Sequence, residues 1–213
     1  FSIVTEIKYD KDKKRATGVI VLDAETNKTI EYKAKIIFVN ASTLNSTWLL
    51  MNSATDVWEG GLGSSSGALG KYLMDHHLGN RAGGTIEGYE DKYTFGRRAN
   101  GFYIPRFRNL GDEKRDYIRG FGYQGGANRA GWGHDVAEVS IGGKYKDALT
   151  EPGGWSIGMM GFGEMLPDET NKVTLDKTKK DKWGLNVLNI DCELKENEIK
   201  MRKDILEDAK EML

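Results

Sequence analysis

The sequence predicts an α+β fold dominated by antiparallel sheet, and three observations carry that prediction. Short strand-like runs are separated by charged or glycine-rich turns. Helical spacing is confined to two segments, 44–53 and 196–213. Glycine accounts for 27 of 213 residues against a usual share of about 7%, while proline numbers only 3, so the glycine marks tight turns and close backbone approaches rather than a disordered tract.

Taken in order, Ile3 to Tyr9, Thr17 to Leu22 and Thr29 to Lys33 read as a small meander, with turns at Asp10-Lys11-Asp12-Lys13-Lys14 and Glu25-Thr26-Asn27-Lys28. Ala34 to Val39 is apolar at nearly every position, the pattern of a strand buried on both faces. It leads through Asn40-Ala41-Ser42-Thr43 into a helix from Leu44 to Ser53. In open α/β sheets ligands bind at such strand-to-helix joints, where small residues admit the backbone and helix amides face outward. Gly60 to Gly70 is a loop by composition and is expected to separate two structural units. Beyond Gly83 come strand candidates at Gly101 to Phe107, Arg119 to Gln124, Trp155 to Met165, Lys172 to Leu175 and Leu185 to Leu194. Glu196 to Leu213 closes the chain as a helix with Ile199, Ile205, Leu206, Ala209, Met212 and Leu213 on or near one face. The abrupt start at Phe1 and the uncapped final helix read as the ends of a fragment.

Composition excludes several classes. With 31 basic and 32 acidic side chains the net charge is −1, so nucleic acid is not an expected partner. The single cysteine, Cys192, rules out an internal disulfide or a cysteine-based zinc site, and fits a cytoplasmic or periplasmic setting. No apolar run approaches the ~18 residues of a membrane span, so a soluble chain is expected.

Each motif that suggests chemistry has a plainer competitor. Gly120-Phe121-Gly122-Tyr123-Gln124-Gly125 has the letters of a dinucleotide fingerprint, but Gly126 to Gly133 cannot start the helix that would hold pyrophosphate; a glycine-rich strand and turn is expected. Asp75-His76-His77 suggests a metal, yet adjacent histidines point to different sides and no second cluster supplies further ligands; a structural or cleft-lining role is expected, with no metal site. His134-Asp135 reads as a polar loop rather than a dyad. Ser64, Ser65 and Ser66 lack the strand-G-x-S-x-G-helix context of a hydrolase nucleophile. Asp168 to Trp183 lacks the order of a calcium loop and reads as a solvated turn flanking a strand at Val173-Thr174-Leu175. Phe102, Tyr103, Phe107, Tyr123, Trp132 and Trp155 read as sheet core, with stacking on a sugar as the alternative.

Between Ala34 and Ser53 the sequence resembles the second signature of the glucose-methanol-choline (GMC) oxidoreductases, FAD-dependent enzymes acting on alcohols and sugars. Ser42, Ser46, Leu49, Leu50 and Ser53 match that signature, while Ala41, Asn45 and Ala54 depart from it. Ile3 to Ile7 with Ala16 to Val19 is similar to the strand pair that precedes it, and Gly70 to His76 to the family's Gly-x-x-Leu-x-Asp-His segment. Gly163 to Pro167, Asn171 to Leu175 and Asp181 to Gly184 resemble later segments of the substrate domain, in the same order.

The resemblance implies a remnant of an FAD-binding α/β domain over residues 1–77 and an incomplete substrate-binding domain over 78–213, mainly antiparallel sheet backed by helices. It implies that Val4 lines the adenine site and that Ala41 and Ser42 let the backbone approach FAD. It assigns no catalytic residue here: the pyrophosphate fingerprint would precede Phe1 and the catalytic histidine would follow Leu213. The substrate would be a small alcohol, polyol or sugar, the electron acceptor is left open, and the isolated chain would be inactive. The alternative is a non-catalytic β-rich carbohydrate-binding module that stacks sugars on exposed Trp and Tyr.

Overall fold

The structure, a computed structural model, describes residues 1–92, 101–130, 141–150 and 152–213. Among these are nine strands and three α-helices, and every strand pairing is antiparallel, so the fold is α+β. The chain forms two compact units, Phe1–Met74 with Pro167–Glu193, and Asp75–Leu166 with Leu194–Leu213. A single cut after residue 77 therefore does not follow the compact units, because 167–193 returns to the first of them.

In the first unit β1 (Ser2–Asp10), β2 (Arg15–Asp23) and β3 (Thr29–Lys33) form the expected meander in that order. Aspartates set both turns. Asp10 Oδ1 accepts the amides of Asp12 and Lys13 at 3.1 and 3.0 Å, and Asp23 Oδ1 those of Glu25 and Thr26 at 2.9 and 3.0 Å. Helix α1 (Ser42–Asn52) buries Leu49. Just beyond it, the buried Ser53 hydroxyl donates to Leu49 O at 2.7 Å and accepts Ile7 N–H at 2.8 Å, splicing the helix end to β1.

The strand expected at Ala34 to Val39 is not formed: Ala34 N–H donates to Thr17 O at 3.1 Å, but Lys35 and Ile36 lie in a bend and 36–39 pair with no strand, with Ile36 72% and Phe38 80% exposed. A strand of this composition needs neighbours at its edges and cover on both faces, and among the described residues none lies alongside it. Gly60 to Gly70 also corrects an expectation, since it lies wholly inside the first unit and contains a 3-10 turn at Ser64–Ser66. At its end Gly70 (φ +81°) has no room for a side chain: a Cβ would stand 2.4 Å from Val173 O.

The second unit is a four-stranded sheet, order β4-β7-β6-β5, built from β4 (His77–Ile86), β5 (Gly101–Ile104), β6 (Phe121–Arg129) and β7 (Trp155–Gly163), with a short helix α2 (Gly143–Ala148). The first unit's remaining hairpin is β8 (Lys172–Lys180) with β9 (Asn186–Asp191), so residues read as a solvated turn are largely strand. Helix α3 (Glu196–Met212) belongs to the second unit and closes its core with Met201, Ile205 and Ala209 against Tyr117, Phe121, Tyr123 and Met159. Its buried stripe matches the expected one only at Ile205 and Ala209. Met201, Ile205 and Ala209 face inward with Glu198 and Asp208, while Ile199, Met212 and Leu213 are exposed. The buried acids are matched. Glu198 accepts Leu166 N–H and Lys195 N–H, each at 3.0 Å, and Asp208 holds Arg108 in a two-point ion pair.

Candidate functional site

The first unit carries a groove of about 810 Å³ beside the start of α1. Val4 and Val19 from the meander, Ala41, Asn45, Trp48 and Leu49 from the start of α1, and Asn186 to Leu188 from β9 line it, with Ile37, Phe38 and Val39 on the segment before the helix. The lining is mostly apolar, with Asn40, Asn45, Asn186 and the carboxylate residue Asp181 as its polar members. Trp48 is fixed by its indole N–H, which donates to Asn186 O at 2.6 Å. The α1 N-terminus has no side-chain cap and no acidic residue in its first turn, so its amides are available to an anion. Ser42 sits there at φ +63°, a left-handed conformation that costs a non-glycine residue of order 1–3 kcal/mol.

Of the residues assigned to a nucleotide by resemblance, Val4 and Ala41 thus line one groove, and Ser42 follows Ala41 as the first residue of α1.

The second unit carries a smaller pocket of about 330 Å³ on its sheet, with His76, Tyr103, Arg106, Gln124, Phe162 and Glu164 around Gly122. Alternation along β6 sends Phe121 and Tyr123 into the core, so Gly122 and Gln124 lie on the face away from it. Arg106 stands 3.8 Å from Glu164 and donates to the carbonyls of Arg108 and Asn109. His76 meets the edge of Phe162 with ring centres 6.2 Å apart.

His77, its neighbour, turns the other way and is buried, with Nε2 3.2 Å from Met201 Sδ. It lies across the sheet from Gly163, where a Cβ would come within 1.7 Å of Nε2. Burial pushes the His77 pKa below its usual value; Glu198 opposes that shift and Arg202 adds to it. His77 is a buried core residue and His76 a pocket residue, so the two rings point to different places. Among the described residues no three His, Cys, Asp or Glu side chains are grouped to hold a metal ion.

The chain is 34% identical over 194 residues to a 2-methyl-1,2-propanediol dehydrogenase of Mycolicibacterium austroafricanum, an alignment that covers 87% of this chain and 34% of that protein. This chain is similar to a diol dehydrogenase. It spans about a third of the length of that curated relative. No family model matches the chain.

The remaining sequence candidates fall elsewhere. Gly120 to Gly125 runs into strand β6, with no helix at its third glycine. Ser64 to Ser66 form an isolated turn. Trp132 and His134-Asp135 lie outside the described residues. Tyr123 is core and Phe102 and Phe107 pack against it, but Tyr103 is exposed on the other face. Sequence reasoning missed Trp48, Asn45 and Asn186 as groove residues, and Arg106 and Glu164 in the second pocket. For Asn186 a local signal existed: Asp181 accepts the amides of Trp183 and Leu185, each at 2.9 Å, a side-chain-capped turn that reverses the chain into β9.

Proposed function

We propose that this chain is the central part of an FAD-dependent oxidoreductase of the GMC type that oxidises a CH–OH group of an alcohol, polyol or sugar. The similarity to a diol dehydrogenase along 87% of the chain carries the reading. In support of it, Val4 and Ala41 meet on one groove whose chemistry suits the nucleotide end of FAD: aliphatic walls for a flat ring, amides to pair with its nitrogens, and a helix start free to meet phosphate oxygens.

FAD, when bound, supplies the acceptor for the hydride that leaves the carbinol carbon. Val4 would pack on the adenine, and Ala41, lacking a large side chain, would let the backbone approach; Ser42 would present its amide at the start of α1. The hydroxyl proton needs a base, and no residue of this chain is proposed for that role; His77 is sealed in the core against Met201. That step falls to a group outside these residues, and the chain by itself would neither turn over an alcohol nor retain flavin.

The test is expression of the whole gene product alongside this chain. The whole product is expected to purify yellow and to reduce a dye when given a 1,2-diol or a sugar, and Val4→Trp, which fills the groove, to lower its flavin content. A colourless product that takes up no flavin would overturn the reading. A carbohydrate-binding platform finds less support: Trp48, Trp155 and Trp183 each donate their indole N–H to a backbone carbonyl, which ties them into the unit that holds them.

A further inference from the structure

The pocket on the second unit's sheet has fixed walls. Two glycines in it each make room for one wall residue: a Cβ at Gly120 would stand 2.6 Å from Arg106 Cδ and Nε, and one at Gly122 3.4 Å from Tyr103 Oη. Arg106 is tied to the backbone just beyond it, donating from Nε to Arg108 O at 3.1 Å and from Nη2 to Asn109 O at 2.9 Å. That backbone is itself anchored, because Arg108 pairs with Asp208 on α3 and the Asn109 side-chain amide donates to Tyr117 O and Arg119 O. The third guanidinium nitrogen, Nη1, stands 3.8 Å from Glu164 Oε1, close enough for charge attraction and too far for a hydrogen bond. Glu164 is held by its own backbone N–H, which donates to Gly120 O at 3.0 Å. The pocket thus sets a cationic donor beside an anionic acceptor, with hydrogen-bonding capacity open on both.

That pairing selects by chemistry. A hydroxyl donates and accepts, so one hydroxyl, or two on neighbouring carbons, can accept from Arg106 and donate to Glu164 at once. A carboxylate only accepts and is repelled by Glu164, while an ammonium only donates and is repelled by Arg106. The pocket's other polar groups, the Tyr103 hydroxyl and the Gln124 amide, also act both ways, and Phe162 offers an apolar surface to carbon. We infer that this pocket receives an uncharged, polyhydroxylated ligand, and that Arg106 and Glu164 are the residues that discriminate against its acidic and amino analogues. As an account of the substrate it rests on the oxidoreductase reading above, to which it adds the charge and hydroxyl content of the molecule oxidised.

Binding measured apart from turnover tests it, by ligand-observed saturation-transfer NMR on the whole gene product with no electron acceptor present. The probes are glucose, glucuronate and protonated glucosamine, which share a ring and differ in charge. Glucose is expected to bind roughly tenfold more tightly than either charged sugar. Glu164→Gln, an exposed and nearly isosteric change, should close most of the gap for glucuronate and leave that for glucosamine; Arg106→Gln should do the reverse. If Arg106→Gln disturbs the backbone it ties, Glu164→Gln alone decides. A merely structural role would weaken all three sugars alike. Equal binding of the three, variants that shift them together, or no binding of glucose would overturn the inference. The two claims fail separately: a colourless product that keeps this selectivity removes the oxidation and supports the pocket, whereas a yellow, diol-oxidising product without it removes the pocket alone.

Discussion

The two units solve the same problem, an antiparallel sheet with an apolar face, in opposite ways. In the second, α3 seals the face: Ile205 packs onto Gly161 so closely that a Cβ there would stand 2.2 Å away, and Tyr123 ties its hydroxyl to Ile205 O at 2.6 Å. In the first, α1 buries Leu49 and Ile7, but the sheet edge toward Ile30 and Tyr32 and the segment from Ile36 to Val39 stay open around an 810 Å³ groove. The contrast separates apolar residues that hold this chain together from apolar residues that are left exposed. Sequence hydropathy cannot distinguish them, since Ile36 and Ile205 are the same residue type.

Substitution does distinguish them. Ile205→Ala removes a fully buried side chain from a closed core and is expected to cost about 2–5 kcal/mol in chemical denaturation. Ile36→Ala should stay within about 0.5 kcal/mol in the same measurement, and a large loss there would show that the open surface is covered in this chain after all. Next comes Gly163→Ala, whose methyl would displace the His77 ring; overpacking of this kind costs about 1–3 kcal/mol, and loss of the His77 contact should be visible in the imidazole NMR signals. Ser53→Ala tests the best-formed part of the first unit. It leaves the buried Ile7 amide without its acceptor, a cost of about 1–3 kcal/mol, and should destabilise the first unit while sparing the second.

The smallest effect is a pH dependence. His77 has a lowered pKa in the folded chain, so the unfolded state binds the proton first as pH falls. Its contribution to stability is present above the unfolded histidine pKa near 6.5 and is lost as pH drops through the folded value. The melting temperature should therefore fall more steeply between neutral and mildly acid pH in the parent chain than in His77→Asn. Equal slopes would mean that the ring is not buried as the structure has it.

The groove of the first unit was legible only in part. Val4 and Ala41 lie far apart in sequence and were linked by resemblance; that they share one groove depends on β1 and α1 packing through Ser53. Asn186 and Trp48 complete that groove from positions 138 residues apart, and no local pattern joins them. Strand β4 went unread for a related reason. His77 to Ile86 is mostly glycine and polar residues, and it becomes a strand because β7 pairs with it from Gly163 to Trp155, with one irregularity between His77 and Asn80.

What the sequence determined by itself is what short-range physics decides. Charged and polar turns placed the meander, helical periodicity placed α1 and α3, and the lack of a helix after Gly125 disposed of the dinucleotide fingerprint. What only the tertiary structure decided is which apolar residues are used. On α3 the inward face is Met201, Ile205 and Ala209 with two acids that find partners in Arg108 and in backbone amides, so burial followed the available partners rather than hydropathy. For Ile36 to Val39 no strand partner lies among the described residues, and a strand-like pattern stayed unpaired, with Ile36 and Phe38 exposed and Ile37 and Val39 half-buried, because a β-strand takes its stability from its neighbours.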